Sequence, residues 1–189
     1  MSRFHSAVLL ACGLLTTPIL ATAAAAQAQA QAQAGDPMAS CPLHAQHQAA
    51  AQGADVDERG DKTMGFAHTR TTHHFLLESD GGVIRVDAND AADTQSRDAI
   101  RRHLAAIARG FAAGDFASPL AIHGRVLPGI PEMTRLATRI HYSFEETDRG
   151  GKVRITTLDP QALAAVHSFL RAQIEDHRTG DPTEPPSRR

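Results

Sequence analysis

"HYSFEETDRGGKVRITTLDP", residues 141–160, reads as a β-hairpin running into a helix. Apolar and polar side chains alternate on either side of the Asp-Arg-Gly-Gly step, as they do in half-buried strands joined by a tight turn. Asp159 is a good N-cap and Pro160 a good first helical residue. Leu163, Val166, Leu170 and Ile174 then recur at helical spacing.

The same order of signals occurs upstream. "HHFLLESDGGVIRVDAND", residues 73–90, precedes a helix striped by Ile100, Leu104, Ile107 and Phe111. Gly114 stands where a left-handed residue ends such a helix. His73 aligns with His141, Gly81-Gly82 with Gly150-Gly151, Arg85 with Arg154 and Asp90 with Asp159, given small insertions. Two ββα repeats, 63–115 and 136–181, therefore predict an α+β body over 63–181. Its expected form is a four-stranded antiparallel sheet with two helices packed on one face, its hairpins closed by Gly-Gly turns. Residues 116–138 join the repeats through a short extended piece and a helical turn from Pro131.

Alternation assigns the faces. Ile140, Tyr142, Phe144, Val153 and Ile155 point at the helices, leaving His141 and Arg154 outward. Carried through the aligned histidines, the pattern turns His73, Phe75, Leu77 and Arg85 outward, and His74 and Leu76 inward. The open face would then offer His73 and His141 to a metal, and Arg85 and Arg154 to an anionic or haem-like ligand. The plain alternative is a solvated face, which antiparallel sheets commonly have.

The N-terminal flank reads as an export signal. Arg3 and His5 precede "AVLLACGLLTTPILATAAAA", which ends in small residues, so 1–30 is expected to be a cleaved signal peptide. "LLAC" at 9–12 is similar to a lipoprotein box, with Cys12 the residue to be lipidated, but the apolar run continues past it. Residues 31–62 are Ala- and Gln-rich and predict a flexible arm, and the Pro-rich 182–189 predicts a disordered tail. The expected location is periplasmic or secreted, with no membrane contact after cleavage.

The arm contains "MASCPLHAQH", which sets Met38, Cys41, His44 and His47 at intervals of three. A thioether, a thiolate and two imidazoles suit Cu(I), Cu(II) or Zn(II). The body holds no other cysteine, and the whole chain has 11 histidines. A formal net charge of −2 excludes the concentrated basic character of a nucleic-acid-binding domain.

"CPLH" resembles the Cys-Pro-Met-His motif of small heavy-metal-binding modules, with Leu43 in place of Met. Phe66, Thr69, Arg70 and Thr71 resemble part of the carbamoyl-phosphate loop of aspartate carbamoyltransferases. His68 replaces the serine there, and that family needs two α/β domains, so the enzyme reading is rejected. Over most of 63–181, "TTHHF", "GGVIRV", "IRRHLAAIARGF" and "FLRAQIEDHRTGD" are similar to a family of uncharacterised exported bacterial proteins. That resemblance implies export and a shared fold.

The leading expectation is an exported metal-binding protein for copper handling or resistance, with zinc or haem as alternative cofactors. Its expected partners are the metal ion and another periplasmic metal-handling protein. A binding module for an anionic or haem-like ligand on the open sheet face is the alternative. No Gly-x-Ser-x-Gly or His-Glu-x-x-His motif occurs, so catalysis is the weaker expectation.

Overall fold

Two hairpins of identical dimensions form the sheet. The computed structural model describes residues 42–187, leaving aside the side chains of 42–50 and 52. Strand β1 (Thr71–Glu78) pairs with β2 (Gly81–Ala88), and β3 (Ile140–Thr147) pairs with β4 (Gly150–Thr157). Each turn is two residues long, Ser79-Asp80 in one and Asp148-Arg149 in the other. The glycines thus open the second strands rather than form the turns. A Cβ on Gly81 would stand 1.9 Å from the Ile155 carbonyl oxygen, and one on Gly150 would stand 2.1 Å from that of Val86. Each glycine is needed so that β2 and β4 can approach.

The sheet order is β1-β2-β4-β3, all antiparallel. At the centre, Ile84 pairs with Val153, and Gly81–Thr156 mirrors Asp87–Gly150. A pseudo-twofold axis therefore passes beside the Ile84–Val153 pair. Helices α2 (Thr94–Ala112) and α5 (Pro160–His177) follow the two hairpins and pack on one face of the sheet. The α+β architecture is the one the repeats predict.

The cap of α5 is Asp159, whose carboxylate accepts from the N–H groups of Gln161 and Ala162 at 2.9 and 3.1 Å. The cap of α2 is Asp93 and not Asp90, with the Ser96 N–H donating at 3.0 Å. The inward stripe of α2 is Ile100, Leu104, Ile107 and Phe111, and that of α5 is centred on Val166, Phe169 and Leu170. Phe169 is fully buried, edge-on to Phe111 with centroids 5.7 Å apart. Burial of such side chains stabilises by about 1.5–3 kcal/mol each.

Between the repeats lie helix α3 (Ala117–His123) and helix α4 (Ile130–Arg135), where an extended piece and one turn were expected. Pro119, Ile122 and His123 give α3 a buried side. The expected flexible arm also overlaps a helix, α1 (Pro42–Met64). Alanine and glutamine are good helix formers, and Gly53, Val56, Gly60 and Met64 make a buried stripe on its C-terminal half. At the other end, the tail is held at Asp181, which accepts the Phe75 N–H at 2.9 Å, and at Thr183, whose carbonyl accepts from Arg171 at 2.8 Å. Pro182 and Pro186 line one surface hollow with Leu76 and Leu77.

Candidate functional site

Counting outward from the two turns decides which way His73 points. With Gly81 over Gly150 and strands of equal length, Thr71 falls on Ile140 and His73 on Tyr142. Arg85 still falls on Arg154, and no insertion is needed within the hairpins. His73 therefore faces the helices together with Thr71, Phe75 and Leu77, and His74 faces outward. This reverses the expected facing of β1. Matching His73 to His141 slips the register by one residue, which turns every side chain over. His141 stays outward and exposed, so His73 and His141 lie on opposite faces and share no site.

The open face holds Arg85 and Arg154 as expected, but each guanidinium has carboxylate partners. Arg85 donates to Asp87 at 2.6 Å. Arg154 donates to Glu78, and to Asp80 at 2.8 Å. Lys152 pairs with Glu145 across the β3–β4 ladder at 3.0 Å. His141 borders an open hollow with Arg139, Thr156 and Asp80, on the side of the sheet away from His73. A charge-matched ladder is the ordinary furnishing of a solvated sheet face.

The polar side chains at the opening of β1 have partners within the chain. Arg70 reaches Asp93 at 2.7 Å, and the Thr71 hydroxyl donates to the Ala67 carbonyl at 3.2 Å. His74 bonds through Nδ1 to Asp181 at 2.9 Å. The polar groups of this stretch are engaged in tying strand, helix cap and tail together.

Beneath the sheet, imidazoles gather instead. A pocket of about 40 Å³ is lined by His73 from β1, His103 from α2, His123 from α3 and His177 from α5, with Met64, Phe75 and Ser118. His73 and His177 stack with centroids 5.5 Å apart and planes 9° apart. His123 meets His177 edge-on at 5.1 Å. Phe66 bridges His73 and His103, with centroid separations of 6.0 and 5.8 Å.

These four rings are not equivalent. His123 is fully partnered, with Nδ1 2.7 Å from Asp176 and Nε2 3.0 Å from the Gln173 side-chain amide. The Nε2 of His73 is shut off from solvent with no hydrogen-bond partner among the described residues, whereas His103 and His177 are half-buried. A neutral imidazole carries one donor and one acceptor, and leaving such groups unpaired costs about 1–3 kcal/mol each.

Burial pushes His73 down to about 4, with the neighbouring His103 and His68 adding to the effect. It pushes His103 down to about 4 and His177 down to about 3. Burial also lowers His123, against the pull of Asp176. At neutral pH the rings are uncharged, which is the form that ligates metals. As the rings lie, no three His, Cys, Asp or Glu side chains among the described residues converge on a common point.

Of the other expected ligands, Met38 and Cys41 lie outside the described residues. His44 and His47 fall on the helical stretch whose side chains are left aside. The signal peptide and Cys12 also lie outside the described residues. No helix among the described residues is long and apolar enough to cross a membrane.

Sequence reasoning singled out His73 but missed the company it keeps. His103 sits one residue before the apolar position Leu104, and His177 three after Ile174, so both border a buried helix face. His123 lies in a connector whose helix was not foreseen. Helical periodicity marked His103 as a flanking position and put His177 in the last turn of its helix, and only the hairpin register brings His73 down to meet them. No protein-family model matches the chain, and no match is found among curated proteins or among solved structures.

Proposed function

We propose that the protein is an exported metal-binding protein, most simply one that handles copper, and that it holds the ion in the histidine pocket beneath the sheet. The observation that carries this reading is the set of three uncharged imidazoles, His73, His103 and His177. They line one pocket, and the His73 Nε2 is buried there without a hydrogen-bond partner among the described residues. Buried polar groups without partners call for a ligand, an ion or water. A pocket of about 40 Å³ is far below the roughly 300–1,000 Å³ of organic-ligand sites, which disfavours a haem-like occupant. It suits an ion or one or two waters.

An ion would draw His73 and His177 out of their stack by side-chain rotation and replace that contact with two metal–nitrogen bonds. His123 supports the arrangement from behind: its Nδ1 is fixed by Asp176, and its ring edge abuts His177. The arm set of Met38, Cys41, His44 and His47 is a capture site in this reading, delivering the ion to the pocket.

The test is Cu(I) and Zn(II) titration of the full chain with Met38, Cys41, His44 and His47 all replaced by Ala. One ion per chain is expected. His73→Ala, His103→Ala and His177→Ala should each weaken binding at least tenfold, and His141→Ala should not. Failure to bind either ion would leave water as the occupant and overturn the reading.

A further inference from the structure

Met64 is the remaining soft atom at the pocket. It is the last residue of α1, is 8% exposed, and lines the same cavity as His73, His103 and His177. The other methionine placed in the body, Met133, is fully buried and does not line this pocket.

The way α1 is mounted matters too. Gly65 follows at once with φ +78°, and a Cβ there would meet nothing within 4 Å, so the joint is unobstructed. The buried stripe of Gly53, Val56, Gly60 and Met64 has only two sizeable apolar side chains. Polar contacts complete the attachment: Asp57 with Arg178, Asp61 with His68 at 3.0 Å, and Arg59 Nε donating to the Ile122 carbonyl at 2.7 Å.

We propose that Met64 is a fourth donor to the ion held by His73, His103 and His177, and that it makes the pocket prefer Cu(I) to Zn(II). The proposal rests on the metal-binding reading above. A thioether is a good ligand for Cu(I), whereas protein zinc sites draw on thiolate, imidazole and carboxylate. Coordination through Met64 would also tie the C-terminal end of α1 to the body.

The experiment compares Met64→Leu with its parent in the full chain lacking the four arm ligands and carrying Cys12→Ala, so that no cysteine or arm methionine supplies sulfur. Cu(I) affinity is read by competition with a chromogenic chelator, Zn(II) affinity by competition with a fluorescent one, and sulfur coordination by the copper X-ray absorption edge. Leucine is close to methionine in volume, and an unchanged melting temperature of the ion-free protein confirms that the fold is kept. The expected result is at least a tenfold loss of Cu(I) affinity, an unchanged Zn(II) affinity and loss of the sulfur scatterer. If the parent binds Cu(I) and Met64→Leu changes neither affinity nor spectrum, the Met64 proposal falls while the histidine pocket stands. If the parent binds neither ion, both fall.

Discussion

Acidification should unfold the ion-free protein well above the pH at which its carboxylates titrate. In the unfolded chain the three histidines return to their ordinary value of 6.5, whereas in the fold they are held at about 4, 4 and 3. Between these values the unfolded chain binds protons that the native state refuses. The stability contributed is therefore intact above about pH 6.5 and is lost as the pH falls toward the folded values. Each histidine costs about 1.4 kcal/mol per pH unit in this window. At pH 5 that is about 2 kcal/mol per ring and about 6 kcal/mol for the three, comparable with the whole stability of a small domain. Burial lowers His123 also, which acts in the same direction. Asp93, held low by hydrogen bonds from Ser96, titrates below this range and does not mask it. Urea melts followed by far-ultraviolet circular dichroism at pH 7, 6, 5.5 and 5 would measure the slope. It should approach three protons, about 4 kcal/mol per pH unit. His177→Gln should remove about a third of it. A slope of one proton or less, or a His73/His103/His177 triple variant with the parental pH dependence, would refute the reasoning.

Asp181→Ala should destabilise by about 1–3 kcal/mol in chemical melts, because the Phe75 N–H loses its acceptor and His74 its partner. Gly129→Ala should cost about 2 kcal/mol or more by thermal melting. Its φ is +85°, and the added methyl would stand 2.2 Å from the Ala165 carbonyl oxygen. Arg154→Ala and Arg85→Ala should both leave copper affinity unchanged in the chelator competition, but Arg85→Ala should destabilise the protein more than Arg154→Ala does, because its partner Asp87 is buried while Asp80 is exposed.

The fold was legible where signals at different levels agreed. The second repeat joins alternation, a two-residue turn, Asp159 as N-cap and Pro160 at the helix start, and each feature points to the same structure. In β1 the two faces read Thr-His-Phe-Leu and Thr-His-Leu-Glu, so hydrophobicity separates them weakly. Adjacent histidines offered two alignments one residue apart, and the wrong one carried the facing with it. Glu78 opposite Phe75 and Leu77 was the local clue, and equal turn lengths were the stronger one. The pocket was beyond sequence reading for a different reason. Its rings come from β1, α2, α3 and α5, and no spacing rule links elements that meet only through tertiary packing.

The Asp181 contact also bears on the order in which the molecule can be completed. Strand β1 is an edge of the sheet, and the carboxylate that satisfies its Phe75 amide arrives 106 residues later. A chain emerging from a ribosome or an export channel can close both hairpins and seat α2 long before residue 181 is free. Until then the strand edge remains an open template for pairing with another chain. Docking of the segment around Asp181 is thus what satisfies this part of the strand edge. A chain truncated before Asp181 would remain in that unfinished state permanently, prone to self-association although most of its core is already in place.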